Sequence, residues 1–144
     1  MIPDNQPVWC SLDTGNVRCG LAVADASATL ASPLAVIPTE PRETLGARLI
    51  AALTNRRVRG LVVGLPLELS GKEGPSAQLA RELGELAGMA LGCEVSYVDE
   101  RFTTAEMHVR RREAGVDNIK RQRDIDAWAA ATMLQGFLDR RPRD

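Results

Sequence analysis

The chain is expected to fold as an α/β protein built on a mixed five-stranded sheet, with strands 1–3 antiparallel, strands 4 and 5 parallel, and helices on its flanks. Three observations predict this class. The first third of the chain holds three short runs rich in Val, Leu, Ile and Ala, separated by turn chemistry. The remainder alternates helical periodicity with two further runs of strand length, and strands joined through helices imply right-handed parallel crossovers. With 144 residues, 44% hydrophobic and 26% charged, the chain is long and apolar enough for one buried core, so residues 1–144 are read as a single domain.

The three opening strands are predicted at 8–13, 19–24 and 31–37, with TGNVR and DASAT as the turns of an antiparallel meander. Beyond Pro38 and Pro41 the period becomes helical: Leu45, Leu49, Ile50 and Leu53 share a face, and the helix runs out at Arg56 and Arg57, near Gly60. GLVVGLP (60–66) is continuously apolar, as a strand covered on both faces should be. ELSGKEGPS is a polar loop. Residues 76–91 form a second helix, in which Gly84 and Gly88 lower the helical propensity and can permit close packing on the sheet. EVSYVD (94–99) is the fifth strand. Thr103 and Glu106 have capping-box spacing, so a third helix begins there and stops near Gly115. VDNIKRQR reads as a mobile basic loop, and DIDAWAAATMLQGFLDR as a closing helix.

Composition excludes several function classes. No window approaches the roughly 18 consecutive apolar residues of a membrane span, and MIPDNQPVW has neither the basic nor the apolar part of a signal peptide, so a cytoplasmic protein without membrane contact is expected. Cys10, Cys19 and Cys93 are odd in number, widely spaced and lack a CxxC pair, so they read as small buried hydrophobes rather than as disulfides or zinc ligands. The net charge of −1 hides an uneven distribution. Between residues 101 and 123, seven basic residues (Arg101, Arg110, Arg111, Arg112, Lys120, Arg121 and Arg123) face three acidic ones (Glu106, Glu113 and Asp117), a local charge of +4. Such a run is either a solvated face or a nucleic-acid surface.

Asp13 ends the strand expected at the centre of the sheet. A carboxylate there is costly to bury without hydrogen bonds or a metal, although it can also simply cap the following turn. Asp99 and Glu100 end another strand, on the carboxyl side where α/β sheets build their sites. Asp126 shares a helical face with Ala129, Ala130, Met133 and Phe137, so an acid opens an otherwise apolar stripe. Its neighbour Asp124 lies on another face and suits an N-terminal cap. Acids at two strand ends and one helix can converge on Mg²⁺ or Mn²⁺, which prefer hard oxygen ligands. His108, the one histidine, stands beside an arginine cluster, so a histidine-rich zinc site or a Ser-His-Asp triad is poorly supported and metal-activated water is the more economical nucleophile. Gly71-Lys72 is not part of a P-loop, because Pro66 and Glu73 occupy the positions that need Gly and Ser/Thr; Lys72 can still meet a phosphate backbone, or belong to a plain surface turn.

LDTGNVRCGLAVAD, ASPL, VVGLPLELSGKEGP, VDERFTTAE and KRQRDIDAWAAATMLQ follow, in order and over nearly the whole chain, the pattern of the YqgF family, also called RuvX. The resemblance implies a ribonuclease H-like fold similar to that of the RuvC resolvase. It also implies activity as a Holliday junction resolvase or as a nuclease processing the 5′ end of pre-16S rRNA. It further implies acid ligands at Asp13, at Glu100 or Asp99, and at Asp126. The chain departs from the usual DxGTKRIG motif, with Asn16 and Val17 in place of the Thr-Lys pair and only Arg18 kept. With strand order 3-2-1-4-5, Glu100 would start two strands, roughly 10 Å, from Asp13, which makes Glu68 beyond the fourth strand a rival ligand.

The expectation is therefore a nuclease using Mg²⁺ or Mn²⁺ on structured RNA or branched DNA, with a homodimer left open as its assembly. Arg18, Lys72, Arg101, Arg110, Arg111, Arg112, Lys120, Arg121 and Arg123 are its candidate phosphate contacts, which position substrate without reading sequence. Aromatic content of 3% argues against base stacking as the main source of affinity. The rival is a non-catalytic RNA-binding factor of ribosome assembly. A sugar-kinase or actin type of ATPase, whose DxG loop resembles Asp13-Thr14-Gly15, would need two such domains.

Overall fold

The computed structural model describes residues 6–99 and 119–142, with side chains of the last helix from residue 125 onward. Its elements run β1 (Val8–Asp13), β2 (Arg18–Ala24), β3 (Ala31–Pro38), a 3₁₀ turn (Arg42–Thr44), α1 (Leu45–Leu53), β4 (Val58–Leu65), α2 (Pro75–Leu91), β5 (Glu94–Asp99) and α3 (Ile119–Arg140). The sheet order is β3-β2-β1-β4-β5. β1 pairs antiparallel with β2 and parallel with β4, β2 pairs antiparallel with β3, and β4 pairs parallel with β5. The expected mixed sheet, with β1 at its centre, is the observed one.

Each face of the sheet carries its own core, and strand alternation decides which residue joins which. Cys10 and Leu12 of β1, Cys19 and Leu21 of β2, and Leu61 and Val63 of β4 pack with Leu45, Leu49 and Leu53 of α1 and Ala80, Leu83 and Ala87 of α2. The intervening Ala22, Ala24 and Val62 pack with Ala130, Met133, Leu134 and Leu138 of α3, joined by Trp9, Val98 and Phe137. Residues 61–65 of β4 are buried on both faces, which explains their unbroken apolar run.

Small residues set the helix positions. A Cβ on Gly84 would meet the Tyr97 hydroxyl at 2.7 Å, and one on Gly88 would press into Val95, so both glycines let α2 lie directly on β5. Cys10 and Cys19 are buried and Cys93 half-buried, all three free thiols, in keeping with their reading as small hydrophobes.

The structure departs from expectation at two places. α1 ends at Leu53 and not near Arg56, because Thr54 and Asn55 take left-handed backbone conformations that stop the helix. Ile50 lies outside the buried stripe of Leu45, Leu49 and Leu53 and is 51% exposed. The closing helix begins at Ile119, so the part of VDNIKRQR from Ile119 onward is helix and not loop. Lys, Arg and Gln are good helix formers and continue the alanine-rich segment without a break. Asp124 is therefore inside the helix rather than at its N-cap, and Asp126 stands two turns in rather than in the first turn. The helix expected from Thr103 falls outside the described residues.

Candidate functional site

Trp9, Ser11 and Asp13 occupy one face of β1 by the period of two, and α3 crosses that face antiparallel to the strand. Two contacts fix the alignment. The Trp9 ring lies 4.9 Å from that of Phe137, and the buried Ser11 hydroxyl donates to the Ala130 carbonyl at 2.6 Å. Each step along β1 toward Asp13 is thus a step along α3 toward its N-terminal half, and Asp126 is next in line. A hydrogen bond of this buried kind contributes about 1 kcal/mol and, more usefully, pins the register of helix on strand.

Gly20 completes the alignment. It is the cross-strand partner of Asp13 in β2. A Cβ there would lie 2.5 Å from the carbonyl carbon of Asp126 and 3.1 Å from the amide nitrogen of Ala127, so the backbone of α3 fills the space a side chain would take. Antiparallel partners stand about 5 Å apart at Cα, which makes Asp13 and Asp126 neighbours at the carboxyl end of the central strand. Both carboxylates belong to half-buried residues.

Arg18 opens β2 on the same face as Gly20, and its Nε donates to Oδ2 of Asp126 at 2.5 Å, the two side chains being 38% and 24% exposed. The loop between β1 and β2 is held from beneath by Thr39, which is fully buried. Its hydroxyl donates to the Gly15 carbonyl at 2.7 Å, and its N–H donates to the Val17 carbonyl at 3.0 Å. Asn16 and Val17, where the chain departs from the usual motif, are exposed. The Cys19 thiol, 3.4 Å from the Thr39 hydroxyl, is pushed up from its ordinary pKa by burial above all, with the Asp13 charge adding to the shift. Burial likewise raises Cys10 and Cys93, so none of the three is a ready thiolate nucleophile or ligand.

The other sequence candidates separate. Asp99 follows Val95 and Tyr97 in alternation, and those two pack on the α1/α2 face, whereas Val98 packs under α3. Asp99 therefore falls on the sheet face opposite to Asp13. Glu68 is exposed, and its Oε2 would lie 2.8 Å from a Cβ on Gly74, which sets its carboxylate at the N-terminus of α2. Lys72 is exposed in the same loop, where the Glu68 N–H donates to the Lys72 carbonyl at 2.9 Å. Lys120, Arg121 and Arg123 are carried by the first turns of α3. Glu100, Arg101, Arg110, Arg111 and Arg112 lie outside the described residues. Among the described residues no group of three or more His, Cys, Asp or Glu side chains forms a metal cage; the described part of the site contributes the pair Asp13 and Asp126.

Sequence reading singled out the acids but missed Ser11, Gly20 and Thr39. A glycine inside a strand is a usable signal, since it often marks close backbone approach. Ser11 and Thr39 carry no such mark, because their partners are backbone carbonyls remote in sequence.

The RuvX family profile, described as Holliday junction resolvase, matches residues 8–140. The chain belongs to the RuvX family. Similar curated proteins include one from Anaeromyxobacter sp. (strain Fw109-5), 42% identical over 133 residues, covering 92% of this chain and 97% of the relative. Another, from Chloroflexus aurantiacus (strain ATCC 29366 / DSM 635 / J-10-fl), is 36% identical over 137 residues, covering 95% and 90%. Both are named "Putative pre-16S rRNA nuclease". A solved structure of T. thermophilus RuvC in complex with Holliday junction substrate superposes with a TM-score of 0.56 at 18% identity, covering 92% of this chain and 93% of that one, and shows the shared ribonuclease H-like fold. As a RuvX member the chain falls in a class of nucleases. No helix among the described residues is long and apolar enough to cross a membrane.

Proposed function

We propose that this chain is a metal-dependent nuclease, a single-domain cytoplasmic phosphodiesterase that processes the 5′ end of pre-16S rRNA, with the Holliday junction as its alternative structured substrate. The observation that carries the reading is the placement of Asp13 beside Asp126, produced by the Gly20 notch and the Ser11 anchor. Hard carboxylate oxygens at the end of a central strand fit Mg²⁺ or Mn²⁺. Because Asp99 falls on the opposite face, the second strand-end acid of the site is assigned to Glu100.

When bound, the metal lowers the pKa of water and stabilises charge on the phosphate. The chain's own contribution is geometric and electrostatic. Asp13 and Asp126 supply fixed negative oxygens from two rigid elements, Thr39 holds the loop after Asp13, and Lys120, Arg121 and Arg123 of α3, together with Arg101, Arg110, Arg111 and Arg112, are the residues assigned to contact the phosphate backbone.

The test is a titration of Mg²⁺ or Mn²⁺ with labelled RNA spanning the 5′ end of pre-16S rRNA and with a four-way junction, using wild type and Asp13→Asn. Cleavage by wild type and none by the variant, with both folded, is expected. Retention of both substrates without cleavage would overturn the reading. The Arg18–Asp126 ion pair favours the rival in that event: an RNA-binding assembly factor whose acid serves the fold.

A further inference from the structure

The carboxylate best placed to hold the metal already has a cationic partner. Arg18 reaches Asp126 from the start of β2, on the face that also carries Gly20. The contact is not part of either core: it sits at the rim, with the Arg18 side chain 38% exposed. The two residues are remote in sequence and their backbones are held by separate elements, while the partly exposed Arg18 side chain can turn to another partner. Asp126 is fixed by the meeting of its backbone with Gly20, and Arg18 by the loop clamped at Gly15 and Val17. The guanidinium thus stands at an oxygen that a divalent cation at this site would need, and a carboxylate oxygen cannot serve both cations at full strength.

We propose that Arg18 is a shared partner: it neutralises Asp126 in the free chain and transfers to a substrate phosphate in the complex, so that phosphodiester binding and metal loading are coupled through it. The inference rests on the reading of Asp126 as a metal ligand. Its physical logic is linkage. A phosphate oxygen competes with Asp126 for the guanidinium, which binds phosphate well, and each guanidinium drawn away restores a full negative charge to the metal site. Metal and substrate then favour one another reciprocally. Without substrate, the ion pair shields Asp126 from divalent cations while keeping it in position.

Arg18 would therefore both contact substrate and tune the metal site, and the test reads metal affinity rather than turnover. Mn²⁺ binding is measured by titration calorimetry or by the spin resonance of free Mn²⁺, with and without a saturating nuclease-resistant 2′-O-methyl RNA hairpin. The variants are wild type, Arg18→Gln, Arg18→Lys and Asp126→Asn, each checked for folding by circular dichroism in EDTA. In the absence of RNA, Arg18→Gln should bind Mn²⁺ roughly two- to fivefold more tightly than wild type, the scale of losing one competing ion pair. The hairpin should tighten Mn²⁺ binding by wild type about fivefold more than by Arg18→Gln. Arg18→Lys should lie between them. Equal Mn²⁺ affinity of wild type and Arg18→Gln, or equal tightening by the hairpin, would overturn the proposal while leaving the metal site intact. No Mn²⁺ binding by wild type and Arg18→Gln alike, or undiminished binding by Asp126→Asn, would instead overturn the metal reading on which it rests.

Discussion

Replacing Gly20 by alanine is the most direct perturbation of the site, because it adds one methyl group and removes no functional atom. The new Cβ would stand 2.5 Å from the carbonyl carbon of Asp126 and 3.1 Å from the amide nitrogen of Ala127. Both neighbours are helix backbone, so no rotamer change can relieve the overlap. Restoring ordinary contact requires α3 to withdraw from β2 by roughly 1 Å or more at this point. Overpacking of this kind costs about 1–3 kcal/mol. For a chain of this length that corresponds to a fall in Tm of about 3–10 °C. Withdrawal also carries Asp126 away from Asp13, and a displacement near 1 Å in a catalytic constellation costs about 10²-fold in rate. The paired assay is thermal unfolding by circular dichroism and cleavage of labelled RNA in Mn²⁺. Gly136→Ala on the same helix is the control: the nearest atoms lie 3.6 Å away, on the flexible side chain of Arg140. It should leave cleavage unchanged and stabilise by up to about 1 kcal/mol through helical propensity. A Gly20→Ala protein with wild-type Tm and full cleavage would refute the claim that this notch sets the site.

Three further outcomes are expected. Asp126→Asn should lower cleavage by about 10²-fold or more, the size of losing one strong electrostatic group, whereas Asp124→Asn should retain the rate; the reverse result in a single-turnover assay would transfer the ligand role to Asp124. Replacing Arg110, Arg111 and Arg112 with Ala should flatten the salt dependence of RNA binding, log K against log salt, by about 2–3 and weaken binding alike across sequences; an unchanged slope in filter binding would make them a solvated face. The three thiols have folded pKa values raised by burial, so their contribution to stability is full below the unfolded thiol value and declines above it. Denaturant midpoints should therefore fall as the pH rises beyond about 9, less steeply in Cys10→Ala, and a flat profile to pH 10.5 would refute the assignment.

Strand identity was legible because a strand covered on both faces is forced into a short, largely apolar run. VWCSLD and GLVVGLP are such runs, and both became inner strands of the sheet. The three leucines of α1 were equally clear, but Ile50 was not, since its side of a short helix meets solvent that the sequence does not display. The start of α3 was misread for a related reason: a run of Lys, Arg and Gln is as polar as a loop, and only its continuation into packed alanines makes it helix.

What the sequence determined by itself was, among the described residues, the strands and helices and their order along the chain, together with the acids proposed to carry chemistry, all of which follow from local propensity and periodicity. The tertiary structure decided which of those acids meet. Asp13 and Asp126 are 113 positions apart in numbering. Their meeting depends on one glycine that admits a helix backbone, one serine that binds a helix carbonyl, and a sheet parity that turns Asp99 to the other face. Those are statements about close approach between remote segments. Approach is set by the volume and hydrogen-bonding of whichever residues face each other across the fold, a pairing that no local pattern in the chain encodes.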